Sequence, residues 1–161
     1  MALTQVRGSG ISNMVISDAG IITKALQPAF LVTTGTQNNI AVGSDVTVVW
    51  ATEIFDQNAD FASNVFTAPV TGKYQLNVSW YINSIDSASD YYHLRLVTTN
   101  RIYDAVFDPG VLASDPVYWH NSLSVLADMD ASETAYVTVK QATGTQQTDI
   151  GPSSFSGYLV A

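Results

Sequence analysis

The chain has 161 residues, 14 acidic against six basic, a formal charge of -8 and no cysteine. So few cations exclude nucleic-acid binding through phosphates, and the lack of thiols excludes a disulfide framework, a thiolate nucleophile and a Cys-based zinc site. The length fits one domain. Charged residues make up only 12%, about half the usual ~25%, which leaves Ser, Thr, Asn, Gln and Gly to form the polar surface, a composition of sturdy β proteins.

The first stretch, MALTQVRGSGISNMVISDAGIITKALQ, sets short apolar pairs between Gly-Ser-Gly, Ser-Asn and Asp-Ala-Gly, each a turn signal. It lacks helical periodicity and the apolar h-region of a signal peptide. A flexible leader is the plain reading. Val15, Ile16, Ile21, Ile22 and Leu26 are too apolar for a free linker, and they predict an extended N-terminal arm over 1–27 that anchors on something else. The arm carries two basic residues and one acid, whereas the body from Pro28 to Ala161 carries four and thirteen. The neutral arm is easier to bury and the acidic body suits solvent.

After Pro28, strand follows strand. AFLVTT and DVTVVWATE come first, then FTAPVTG, in which Pro69 interrupts and Thr71-Gly72 turns the chain. In YQLNVSWYI, Tyr74, Leu76, Val78, Trp80 and Ile82 share one face, with Gln75, Asn77, Ser79 and Tyr81 on the other. YYHLRLVTT, NSLSVLAD and TAYVTVKQ repeat the pattern between Gly, Asn, Asp, Pro and Ser clusters. No helix longer than a turn or two is apparent, and no run of about 18 apolar residues could span a membrane. Many short strands with turn signals predict an all-β sandwich or barrel.

Few residues suggest chemistry. Tyr91-Tyr92 and Tyr118-Trp119 point their members to opposite faces if they lie in strands; one of each pair enters the core, and the other needs a partner, a sister chain or a glycan. Asp104, Asp108 and Asp115 in YDAVFDPGVLASDP read as a long loop at one end of the sandwich. Asp128, Asp130 and Glu133 in DMDASE could suit calcium, but they lack the glycine and length of an EF-hand loop, and Asp and Ser are ordinary turn residues. His93 and His120 sit in strand-like stretches. No nucleophile turn of the GxSxG type occurs, and no carboxylate pair is singled out for glycoside hydrolysis. The chain is therefore read as non-enzymatic, without cofactor or metal.

The closing strand, SSFSGYLVA, is apolar on both parities: Phe155, Gly157 and Leu159 on one, Tyr158 and Val160 on the other. Such a strand wants cover on both faces, and Gly157 marks a close approach by another backbone or ring.

Three stretches, in order, carry a resemblance. FDQNADFASNVFTAPVTGKYQLNVSWY (Phe55 to Tyr81) resembles the signature of the globular head of complement component 1q, whose fold is shared with the tumour necrosis factor superfamily. NSLSVLADMDASETAYVTV (Asn121 to Val139) resembles its later strand, turn and strand, and SSFSGYLV its closing strand. The resemblance implies an antiparallel jelly-roll sandwich of about ten strands over residues 28–161. It also implies a homotrimer with the closing strand central in the sheet facing the threefold axis. Trp119, Phe155, Gly157 and Tyr158 are then the interface candidates, with Trp119 and Phe155 at the axis.

The same runs, and the leader ISDAGIITKALQPAF, also resemble virion proteins of tailed bacteriophages. A collagen-like stalk and a long fibre shaft are absent, and the knob begins 27 residues after Met1. The expectation is a knob made in the host cytoplasm and carried on the virion surface. It would decorate the capsid through its arm or tip a short tail fibre, with other virion structural proteins and host surface glycans as partners.

Overall fold

A computed structural model describes residues 14–16, 20, 22–24 and 26–161, with the backbone alone at 14–16, 22 and 23. In the leader, β1 (Met14–Ile16) and β2 (Ile22–Lys24) pair as an antiparallel hairpin with Met14 opposite Lys24. Within the arm predicted over 1–27, these two short strands pair with each other, and residues 1–13 lie outside the described residues. The side chains of Val15, Ile16 and Ile22, and all of Ile21, lie outside the described residues; Leu26 is exposed. The arm's base is tied to the body, since Gln27 donates to the Leu159 carbonyl at 2.8 Å and Gln57 donates to the Lys24 carbonyl at 2.8 Å.

The body contains β3 (Ala29–Thr33), β4 (Val46–Thr47), β5 (Thr52–Asp56), β6 (Phe61–Ala62), β7 (Val65–Thr67), β8 (Gly72–Asn83) and β9 (Tyr92–Thr98). It continues through β10 (Ile102–Phe107), a 3-10 turn (Pro109–Val111), β11 (Tyr118–Met129), β12 (Thr134–Gln141), β13 (Asp149–Ile150) and β14 (Ser154–Leu159). Two antiparallel sheets form, one ordered β10-β9-β12-β7-β6 and the other β11-β8-β14-β3-β5, with β4 added to β12 and β13 to β8. The two main paths hold ten strands, the number expected of the jelly roll.

Two runs differ from their sequence reading. DVTVVWATE is not one strand: β4 pairs with β12, and β5 pairs with β3 in the other sheet. The chain changes sheets between them, burying Val48 and Trp50 on the way. Residues 103–107, read as loop, belong to β10. Asp104 therefore lies within a strand, where its carboxylate accepts from Arg95 at 2.6 Å. Asp108 caps the 3-10 turn by accepting from Gly110, and Asp115 accepts from Ser87.

The core is the space between the sheets. Tyr74, Leu76, Val78, Trp80 and Ile82 all point into it, as the period of two requires. Phe30 anchors a ring cluster, stacked on Phe66 at 4.7 Å and met edge-on by Phe155 at 4.9 Å. Phe155 is fully buried within its own chain, so placing it on a threefold axis is corrected: its parity in β14 turns it inward. The space at Gly157 is also filled from within. A Cβ there would come 2.6 Å from Leu76 Cδ2 and 2.8 Å from Phe30 Cε1, side chains of the two strands flanking β14. The close approach expected of a sister chain is thus made by the chain itself.

The arm, the β8 start and the β14 end share one end of the sandwich. At the opposite end a buried polar network pins the loops. Asp86 accepts from the amides of Ala88, Thr145 and Gln146, and the Tyr92 hydroxyl accepts from the Asp86 amide at 3.0 Å. Gly144, at φ +100°, leaves room for the Asp86 carboxylate.

Phe155→Ala should cost about 3–5 kcal/mol, and Gly157→Val about 1–3 kcal/mol through overpacking. Both losses should appear in chemical unfolding at protein concentrations too low for any assembly to persist. Wild-type stability in either variant would contradict these internal roles.

Candidate assembly interface

Two parts of the surface are incompletely covered. The first is one lateral side of the sandwich, where β10 and β11 are the terminal strands of their sheets. Eight hydrophobic residues pack against the core while only partly buried, and six of them lie on these two strands: Tyr103, Ala105, Phe107, Trp119, Leu123 and Val125. The core is therefore thinnest here. Phe107 stacks on Trp119 at 4.7 Å and on Tyr92 at 4.9 Å, closing the loop end of the gap. Arg101 closes the arm end with a forked pair to Asp128 at 2.8 and 3.0 Å. Beside the gap, Val106, Val111 and Val117 are exposed. Trp119 turns inward at this open side, and its Nε1–H is buried without a hydrogen-bond partner.

The second surface is the solvent face of the β8 sheet. Strand register sets its side chains in rows: Ser122, Ser79, Ser154 and Thr33; then Ser124, Asn77, Ser156 and Leu31; then Leu126, Gln75, Tyr158 and Ala29. Gln75 Nε2 donates to Ser124 Oγ at 2.8 Å, and Ser124 Oγ donates to Asn77 Oδ1 at 2.8 Å. Toward the loop end, Tyr81 and Tyr118 approach at 5.6 Å, and His120 Nε2 meets Ser79 Oγ at 2.8 Å. Across β11, β8, β14 and β3, the acidic and basic side chains on this face are Lys73 and Asp128 at the arm end and His120. On a body with thirteen acids, such a broad charge-poor face is unusual, and charge depletion is the compositional mark of interface cores. Leu126 and Tyr158 are about half exposed on it.

The remaining candidates fall elsewhere. Of the tyrosine pairs, Tyr92 is buried and Tyr91 lies outward against His93 at 4.6 Å; Tyr118 is exposed and Trp119 turns in. Asp128 is held below the usual carboxylate range by hydrogen bonding to Arg101. The Asp130 amide donates to Glu133 Oε2 at 2.8 Å, an ordinary turn. Among the described residues no group of three His, Asp or Glu side chains is placed to hold a metal ion. Sequence reading missed the charge-poor face because its serines, asparagine and glutamine lie on three separate strands. They become one surface only once register is known.

No protein-family model matches the chain, and no curated protein matches it in sequence. Solved structures do match in shape. The globular domain of zebrafish complement 1qA superposes with a TM-score of 0.61 at 19% identity, covering 84% of this chain and 98% of that one. Murine APRIL, solved at pH 8.0, gives 0.58 at 10% identity, covering 83% and 99%. The fold is the jelly roll of complement component 1q and the tumour necrosis factor superfamily. At these identities the likeness extends to architecture alone.

His93, on the solvent face of β9, has its pKa lowered, first by burial and then by Arg95, with Asp104 pulling the other way. The folded state thus resists protonation that the unfolded chain accepts near pH ~6.5. Below that pH the unfolded state binds the extra proton, and stability falls as pH falls. Melting temperature should drop between pH ~7 and ~5, and His93→Phe should flatten part of that drop; identical slopes would contradict the assignment.

Proposed function

We propose that the protein is a non-enzymatic homotrimeric knob on a bacteriophage particle, fixed by its N-terminal arm and exposing the jelly roll for adhesion. The observation that carries the assembly is the presence of two different uncovered surfaces on one chain. One is the thinly covered side along β10 and β11, the other the charge-poor face of the β8 sheet. Two unlike patches that suit each other make a heterologous contact, which closes into a ring when the rotation allows it. Three copies, each laying its open side on the next copy's β8 face, would complete the core at Trp119 and Leu123 and cover Tyr158 and Leu126. Trp119 and Tyr158 are then interface residues at separate halves of one contact, while Phe155 and Gly157 act inside each sandwich.

The virion setting rests on the sequence resemblance and on the arm. The arm's base emerges at one end, beside Leu159 and Val70, and the pinned loops lie at the other. An anchored knob has this polarity, with loops facing outward. A capsid location is one reading, and a tail-fibre or tail-tip knob is the other.

The intact chain should run as a trimer in sedimentation at micromolar concentration, and Ser122→Arg, which sets a cation in the middle of the charge-poor face, should yield folded monomer. A chain beginning at Leu26, which keeps the Gln27 bond to Leu159, should still fold and trimerise but fail to join particles lacking the protein. A stable wild-type monomer would refute the trimer, and normal incorporation would refute the anchor.

A further inference from the structure

We propose that the hairpin end of the β9 sheet carries a shallow site for an uncharged pyranose sugar, with Val97, Ile102 and Tyr136 as its floor. The site lies on the flank of the knob, on the outer face of the β9 sheet toward the arm end. It deepens the adhesive part of the proposed function, on which it rests, as a contact made by the side of the knob in addition to its outward loops. Ile102 is the register partner of Val97, and Val97 of Tyr136, so the three side chains stand abreast on the solvent face of β10, β9 and β12. Ile102 is 56% exposed. The turn from Thr98 to Arg101 and the start of β12 at Thr134 border an open groove of about 600 Å³ around them.

The chemistry of the rim selects the ligand. Arg101 is spent on Asp128, bonding both carboxylate oxygens at 2.8–3.2 Å. Glu133 is likewise occupied, its Oε2 accepting from Asn100 Nδ2 at 2.7 Å and from the Asp130 amide. With its charges paired internally, the site offers no free cation for a phosphate or carboxylate, whose binding rests on charge-assisted hydrogen bonds. What remains open are neutral groups. Among the described residues the Tyr136 hydroxyl and the Asn100 side-chain carbonyl engage no other protein group; beside them the Thr99 and Thr134 hydroxyls pair at 3.4 Å, and Thr99 Oγ1 also accepts from the Thr134 amide at 2.9 Å.

An aromatic and two aliphatic side chains beneath a ring of neutral donors and acceptors match a pyranose, which has a C–H face and hydroxyls around its edge. The floor removes apolar surface from water, and the rim pairs the hydroxyls. Open sites of this kind bind single sugars weakly and gain strength from repetition, and a trimer presents three.

The test is a titration of the isotope-labelled full-length protein, followed by amide chemical shifts, with methyl glucoside, methyl galactoside, N-acetylglucosamine and N-acetylneuraminic acid. At least one of the three neutral sugars should shift the amides of 97–102 and 134–136 with a Kd in the millimolar range, and Tyr136→Ala should weaken it at least tenfold with the melting temperature nearly unchanged. Asn100→Ala, at the exposed turn, should weaken it less and serves as the second variant if Tyr136→Ala unfolds. The site is refuted if no neutral sugar moves these amides, if the acidic sugar alone does, or if both variants bind like wild type. Neutral sugars shifting other residues would refute the site while keeping the adhesive reading; failure of the wild-type trimer to bind any immobilised glycan would remove the adhesive reading itself.

Discussion

A two-layer sandwich covers its core only where one sheet lies over the other, and in this protein the cover fails along β10 and β11. The long strands β8 and β11 pair through twelve residues, so the β8 sheet ends in a full-length strand whose inward side chains have partial cover. Phe107 and Trp119 fill the gap at one end by stacking, and the Arg101 pair bridges it at the other. Between them the apolar side chains stay half-buried. Cover supplied by another chain would remove that apolar surface from water, the main favourable force in association.

Charge placement follows the same logic. Acids line the turns and the loop end, and Arg95 gathers Asp45 and Asp104 on the outer face of the β9 sheet. The solvent face of the β8 sheet instead carries hydroxyls and amides that bond one another. A charge buried there would need a partner, at a cost that neutral groups bonded in place avoid. The face is thus polar enough for one chain to remain in solution and neutral enough to be covered.

Much of the fold was legible in the sequence, because period-two runs such as Tyr74 to Ile82 bury one face regardless of context. The jelly-roll topology came from motif resemblance, and the shape of the molecule agrees with it. Reading failed where neighbours in space decide the outcome. Gly157 looked like space for another chain, but the order β8-β14-β3 sets Leu76 and Phe30 beside it. Phe155 and Tyr158 were grouped together although their opposite parity sends one to the core and the other to solvent. Asp104 and Asp108 make residues 103–107 look like loop, whereas Arg95 on the adjoining strand neutralises Asp104. Of the charge-poor face the sequence shows only the β8 row of Gln75, Asn77 and Ser79; Ser122, Ser79 and Ser154 meet only through register.

The central claim is that each chain's open side meets the next chain's β8 face. The most direct measurement mixes two variants, one with the face blocked by Ser122→Arg and one with the open side blocked by Val106→Arg and Val117→Arg. Each alone should be monomeric in sedimentation, and the mixture should form a one-to-one dimer through the single junction left intact. Either variant associating with itself, or a mixture that stays monomeric at high concentration, would contradict the claim.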